Sequence, residues 1–544
     1  MAVFLNLVYA ALPLLFGLVL LKWVDDVGKT MLYSAFLGFV LYSIKNFSKV
    51  LVSNRRDVSG SVLWEALSHS SVQTVSKGIL LLRNIVIDKV PIAVAVFVLF
   101  IMVKLVCSSC TLEYINRAAD RFVRTRKEFL AVFFVLSLAF SIDDYLCCVG
   151  VCTVAAGIFA RQGLTNEKAA YMTCLTAVAL CTMLPYSTWM PVIRSAIGAS
   201  VPSGNVILMN LAAVFFILIV MTETMSGKAL SSTRKQFIKA LPADSGKVLG
   251  VLILSAAATA SALITVNLLT DGTWAVAAGG AAGCLVLATA GIPIGMVGMK
   301  DIESGLREAF KDTLFLFRTL FFVWLVKDIC IELLGLNRFL IAVMEAAKFP
   351  YFLIPSIIFL ASSCFSFITG TSFGAFSLFI PLAVSLLGNS GVFLKTVGAS
   401  AALAGSLQSV NRPGSDVIRL VSGVLKCDGK EIRRLQKYWL VRETPVLFVS
   451  FLVMGVCARG GIEIMFAAGM LPVLLCTFLY YKQQMKKAYA GNEFFKELQT
   501  GRGIPYKVKY YTFYHKCKDL EALYAAILQG IRQKALALYP VNFI

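Results

Sequence analysis

The sequence predicts an all-α polytopic membrane protein made of two pseudo-symmetric repeats with broken or re-entrant helices. Three observations carry that expectation. Of the 544 residues, 58% are hydrophobic and 15% charged, with a mean hydropathy of +0.79, which is more apolar surface than a soluble core buries. Long apolar windows recur along the chain without the ten-residue alternation of a membrane barrel, so each crossing has to be a helix that satisfies its own backbone. Polar interruptions recur at one fixed spacing in both halves. At roughly 20 residues per span the windows give about 11 to 14 crossings. The stretches near 129–160 and 351–388 are too long for one straight helix.

Taken in order, the chain opens on an apolar window over residues 3–24. No small-residue cleavage site precedes Lys22, Asp25 and Asp26, so this window is expected to stay as a first helix rather than be removed as a signal peptide. The net charge of +21 is concentrated between spans: Lys45, Lys49, Arg55 and Arg56; Arg117, Arg121, Arg124, Arg126 and Lys127; Lys228, Arg234, Lys235 and Lys239; Arg433, Arg434 and Lys437. The positive-inside tendency places these loops in the cytoplasm. We divide the chain into a first half over residues 1–230, a second over 231–482 and a basic, aromatic cytoplasmic tail over 483–544. The tail interleaves Lys507, Lys509, Lys516 and Lys518 with Tyr506, Tyr510, Tyr511, Phe513 and Tyr514 but carries no nucleic-acid recognition motif. Anionic lipid is therefore the expected partner of the basic loops and tail, and nucleic acid is not. A second copy of the chain is a further candidate partner.

The first polar interruption is Ser141-Ile142-Asp143-Asp144-Tyr145, two adjacent acids inside an apolar window. A carboxylate in that setting costs at least about 2.5 kcal/mol, so it faces a partner, a cavity or an ion. Two side by side share a proton or are neutralised by a cation, because each raises the other's pKa. The alternative is that they cap a half-helix and nothing more. The second interruption is Thr369-Gly370-Thr371-Ser372, and each is followed by a proline break, Pro185-Tyr186-Ser187 and Pro413-Gly414-Ser415. One offset of 228 residues carries Ser141 onto Thr369, Asp144 onto Ser372, Pro185 onto Pro413 and Ser187 onto Ser415. Repeats with broken helices are the pattern of many secondary transporters, with the site between the repeats.

The glycine and hydroxyl run at 369–374 and the prolines free backbone carbonyls, and oxygen donors of this kind suit a hard alkali cation. Candidate ion or substrate residues are accordingly Asp143, Asp144, Ser187, Thr369, Thr371, Ser372 and Asp416, with Asp143 and Asp144 as the sodium ligands. Gly-Thr-Ser runs also serve close helix packing, prolines also serve as kinks, and Asp416 lies one helical turn from Arg412, where the two would form a local ion pair.

Other chemistries find little support. Most of the 14 cysteines, among them Cys147, Cys148, Cys152, Cys174, Cys181, Cys330 and Cys364, fall in apolar windows and read as packed free thiols. Cys107-Ser108-Ser109-Cys110 has redox spacing without the strand and helix around it. With His69 and His515 the only histidines, a histidine-built zinc site or a Ser-His-Asp triad is not expected. No Walker-type loop points to ATP, and no nucleophile and base pair up, so the chain is not read as an enzyme and needs no resident cofactor.

Several of these residues carry a family resemblance. Asp143-Asp144-Tyr145-Leu146, Val149-Gly150, Glu167-Lys168-Ala169-Ala170-Tyr171, Cys181, Pro185, Ser187 and Trp189 resemble motifs of the NhaC-type sodium/proton antiporters. So do Asp301-Ile302-Glu303-Ser304, the run from Thr369 to Phe376 leading to Ile380-Pro381, and Pro413-Gly414-Ser415-Asp416. The resemblance covers roughly residues 10 to 460. It implies an inner-membrane secondary antiporter of two halves with inverted topology, carrying sodium and protons. The sequence departs from that pattern at Cys174, where the family has an acid, at Ala179, where it has a proline, and at Ser409-Val410, where it has an Asp-His pair.

The leading expectation is sodium/proton exchange, with Asp143 and Asp144 taking sodium and proton in turn. A second is coupled transport of a small organic acid or amino acid, with Arg412 as the anion contact. A third, of another class, is a membrane scaffold that docks partners through its tail and transports nothing.

Overall fold

The computed structural model describes residues 2–53, 60–106, 126–161, 164–226, 245–269 and 274–490, apart from 22, 25, 142, 143, 186, 200, 389 and 414. These residues form helices and connecting turns with no strand among them, as an all-α polytopic membrane protein requires. The basic cluster at 228–239, Arg55 and Arg56, most of the cluster at 117–127, Cys107 and Cys110, and the tail from 491 lie outside the described residues.

The first third contains α1 (Ala2–Leu20), α2 (Val27–Ser53) and α3 (Gly60–Val106). At a 1.5 Å rise the 47 residues of α3 extend about 70 Å, so only its apolar C-terminal part, Lys89–Val106, is suited to the membrane. The first half continues with α4 (Arg126–Phe140), α5 (Asp144–Arg161), α6 (Asn166–Met183), α7 (Trp189–Ile197), α8 (Ser203–Leu208) and α9 (Leu211–Ser226). Then come α10 (Ser245–Leu269), α11 (Ala275–Gly291) and α12 (Met299–Asp328), the last ending in a π-turn over Ile329–Leu333. The chain goes on with α13 (Leu336–Ala346), α14 (Ile354–Thr369), α15 (Ser372–Leu386), α16 (Val392–Ser406), a 3-10 turn at Leu407–Asn411, α17 (Asp416–Leu425), α18 (Gly429–Val456) and α19 (Ile462–Ala490).

Six helical stretches among the described residues are long and apolar enough to cross a membrane: Val27–Val50, Lys89–Val106, Ser203–Met225, Tyr351–Thr369, Gly429–Val456 and Ile462–Gln484. Shorter apolar helices, including Ser372–Leu386, stand beside them. The two stretches too long for a single span do break, the first into α4 and α5 and the second into α14 and α15.

Element ends fall close to the 228-residue offset read from the sequence. The helices before the breaks end at Phe140 and Thr369, those after begin at Asp144 and Ser372, and those past the prolines begin at Trp189 and Asp416, offsets of 229, 228 and 227. Packing across the halves is reciprocal as well. α7 of the first half lies on α15 of the second, and α17 of the second lies on α5 of the first.

At the centre stand α6 and α16. Every residue from Ala169 to Thr182 and from Thr396 to Ser406 is buried. A polar side chain can sit there because it bonds back to its own helix: Thr173 to the Ala169 carbonyl at 2.8 Å and Thr176 to that of Met172 at 2.9 Å. Small residues let α16 approach α14 closely. A Cβ on Gly405 would stand 2.5 Å from the Phe359 carbonyl oxygen. The Ser362 hydroxyl donates to the Ala402 carbonyl at 2.7 Å, and Ser366 donates to that of Ser406. Gly405→Val is expected to force these helices apart and to lower the yield of monodisperse protein in size-exclusion chromatography, because its obstacle is backbone that cannot rotate away.

Beyond the central helices, loops tie the halves together. Asn166 Nδ2 donates to the Leu425 carbonyl at 2.7 Å, and the Asp428 backbone N–H donates to Glu167 Oε1 at 3.1 Å. That second bond holds the Glu167 carboxyl below its usual pKa, so it remains charged at neutral pH. Lys45, expected in a loop between spans, lies instead inside α2, where it donates to the carbonyls of Leu333 and Leu334 at 3.3 and 3.0 Å and so finds partners at the π-turn.

Candidate functional site at the helix breaks

α5 starts at Asp144, where the apolar window is interrupted, so its carboxylate sits at a helix N-terminus, the end that favours negative charge. Asp144 is only 4% exposed. Its Oδ1 accepts a hydrogen bond from the indole Nε1 of Trp189 at 3.3 Å. Asp143, the other acid of the pair, lies outside the described residues.

Trp189 is fully buried as the first residue of α7 and links the two breaks. Its ring centroid is 5.0 Å from that of Phe373 and 5.6 Å from that of Phe376, both in the first turns of α15 just past the second break. The acid of one half is thus joined, through one indole, to the aromatic pair that follows the glycine break of the other. Trp189→Phe keeps the ring and removes the donor. We expect it to fold with a loss of about 1 kcal/mol. Trp189→Ala should lose about 3–5 kcal/mol through the cavity it leaves. Thermal melts of the two purified variants check the difference.

Ser187 has a specific local task. Pro185 has no N–H to offer the carbonyl of Cys181, four residues earlier, and the Ser187 hydroxyl donates to that carbonyl at 2.5 Å. Its proton is committed to the helix end while the oxygen keeps lone pairs to accept with.

At the second break α14 ends with Gly370 in the left-handed conformation, φ +73°. Thr371 then caps α15, its hydroxyl accepting from the Gly374 N–H at 3.5 Å. Thr369 bonds back to the Phe365 carbonyl at 2.8 Å, and the hydroxyls of Ser372 and Ser409 stand 2.6 Å apart. Ser409, where the resembling family carries an acid, therefore holds the proline break of this half against its glycine break. Cys174, the other such position, packs its sulfur 3.9 Å from that of Cys148.

The Arg412 guanidinium reaches the same break and donates to the Thr369 carbonyl. It lies so close over Gly370 that a Cβ there would be 2.7 Å from Nη1. A fixed positive charge thus sits at the C-terminal end of α14, where the helix dipole favours it, as Asp144 sits at the N-terminal end of α5. Of the expected local pair between Arg412 and Asp416, the structure describes the arginine; Asp416 opens α17, and its side chain lies outside the described residues.

Two buried acids escaped the sequence reading. Glu443, inside α18, accepts from Asn411 Nδ2; Asn411 Oδ1 accepts from the Tyr171 hydroxyl at 2.6 Å. Glu223 on α9 pairs with Lys168 at 2.9 Å and accepts from the Tyr480 hydroxyl. The signal for Glu443 is an acid inside an apolar window two residues before Pro445, and it was not singled out from the sequence alone. Among the described residues, no cluster of three or more His, Cys, Asp and Glu side chains stands ready to hold a metal ion.

Residues 193–456 match the Na+/H+ antiporter family. The chain is similar to sodium/proton antiporters. An uncharacterized protein of Haemophilus influenzae is 24% identical over 372 residues, an alignment covering 59% of this chain and 69% of that protein. The span similar to the antiporters begins inside α7 and ends with α18, so it takes in the second break, Arg412 and Glu443 and leaves Asp144 before it. The match and the apolar helices together support a multi-pass membrane protein.

Proposed function

We propose that the protein exchanges sodium for protons across the inner membrane at a carboxylate site where the two broken helix pairs meet, with Asp143 and Asp144 as the shared site. The observation that carries this reading is the buried Asp144 carboxylate at the start of α5, joined through Trp189 to the aromatic residues beside the opposite break. The family match over residues 193–456 supports the cargo.

A buried carboxylate gains more from a cation than an exposed one does, because little water competes for it. Sodium and a proton exclude one another there, since each neutralises the same charge. If only the loaded states pass between inward- and outward-facing forms, the result is exchange. Ser187, Thr369, Thr371, Ser372 and Asp416 are supporting oxygens in this account. Arg412 supplies the positive charge that the carbonyl end of α14 would otherwise take from a cation, which leaves the first break as the place for sodium. The reciprocal packing of α7 on α15 and α17 on α5 supports two halves related by inverted topology.

Everted vesicles test the exchange. Adding sodium to energised, acid-loaded vesicles that contain the protein should raise the internal pH, and vesicles without the protein should not respond. No sodium-dependent change in the loaded vesicles would remove the reading.

A further inference from the structure

Glu443 is 0% exposed and lies within the apolar span of α18. Its Oε1 accepts from Asn411 Nδ2, while Oε2 has no hydrogen-bond partner. The neighbouring Gln408 shows the complementary lack, since its Nε2 is buried without an acceptor. No described lysine or arginine forms an ion pair with Glu443. Arg442, one residue before it, turns away: its guanidinium carbon is 3.5 Å from the Tyr438 ring centroid, and it donates to the Tyr438 carbonyl.

The groups facing this pocket from neighbouring elements do not supply a counter-charge. On α6, Tyr171 is bonded to Asn411. Glu223 on α9 and Tyr480 on α19 are bonded to each other, with Lys168 held by Glu223. Arg412 is turned to the Thr369 carbonyl. α14 contains no charged residue, and the one in α16, Lys395, lies in its first turn. The Gln408 and Asn411 amides face the carboxyl but carry no charge, so an ionised Glu443 without a cation beside it is unfavourable in such surroundings and a proton neutralises it.

We propose that Glu443 is a second membrane-embedded proton-binding site, and that its proton keeps the 407–413 segment seated on α18. The seat is built from this pocket outward: Asn411 bridges Glu443 and Gln408, and Gln436 Nε2 on α18 donates to the carbonyls of Val410 and Arg412 at 2.6 and 2.9 Å. Loss of the proton leaves a charge against Asn411, the chain neighbour of Arg412, and this unseats the segment from which the Arg412 guanidinium reaches Thr369. Proton occupancy at Glu443 is in this way linked to the second break. The inference stands on the pocket and does not need sodium to be the cargo.

Dicyclohexylcarbodiimide tests it on the unaltered protein, because the reagent adds to protonated carboxyls in apolar surroundings. With the protein in liposomes over a series of pH values, peptide mass spectrometry should find the adduct on Glu443, falling by about tenfold per unit above the midpoint of one titrating group. Glu443→Gln, which keeps the shape and fixes the neutral form, should flatten one limb of the pH profile of transport; Glu443→Asp should restore a limb at a shifted pH. Glu443 free of label at every pH, or a wild-type profile in Glu443→Gln, overturns the proposal. Should Glu443→Gln not fold, the labelling decides alone. A wild-type protein that moves no sodium would overturn the exchange reading and leave the labelling result standing.

Discussion

Asp144→Asn is expected to bring sodium-driven proton movement down to the background of protein-free vesicles while leaving the fold intact. Asparagine has the same shape as aspartate and still offers an oxygen to the Trp189 indole, so the contact to Phe373 and Phe376 survives. What disappears is the charge. One unit charge acting on a cation 4 Å away is worth about 4 kcal/mol at an effective dielectric of 20, on the order of a thousandfold in affinity. A proton can no longer be exchanged at that position either, so affinity and coupling fail together. Parallel assays of transport and of the thermal melt separate this from misfolding: flux should vanish and the midpoint should hold.

Gly370→Ala is expected to cost both stability and transport. The left-handed φ of +73° costs a residue with a Cβ about 1–2 kcal/mol. The new methyl would also stand 2.7 Å from Nη1 and 2.8 Å from Cδ of Arg412. The guanidinium must then leave the Thr369 carbonyl, and a charged hydrogen bond of this kind is worth about 1.5–3 kcal/mol. Together these losses amount to roughly 4 kcal/mol. Gly335→Ala is the control, since Gly335 shares the left-handed conformation at φ +79° and the nearest atom to where its Cβ would be is at 3.8 Å, an ordinary contact. It bears the backbone strain without the clash, and we expect a drop of about 1 kcal/mol with normal exchange. Equal losses of flux in the two variants would show that Arg412 plays no part.

How much of this was legible in the sequence follows from which interactions are local. The breaks at Asp144 and Ser372 and the spacing between halves could be read because glycine, proline and acids interrupt apolar windows whatever packs against them. The bonds that make a site of those breaks join residues far apart in the chain: Trp189 with Phe373, Ser372 with Ser409, Arg412 with Thr369. No spacing rule carries such information. Arg412 was read as a contact for an anionic substrate or a partner of Asp416, and its bond to a backbone carbonyl became visible only when the end of α14 was placed beside it. Glu443 stands next to Arg442 in the sequence, yet neighbouring residues in a helix point about 100° apart, and only the fold shows that the glutamate is buried while the arginine lies over the Tyr438 ring.

Coupling is the central claim, and coupling runs in both directions. Purified protein in liposomes, with the membrane potential clamped and an outward-directed proton gradient imposed, should drive labelled sodium inward against its own concentration gradient and stop when a protonophore collapses the pH difference. Sodium entry that ignores the proton gradient, or that proceeds equally well in Asp144→Asn, would contradict the account.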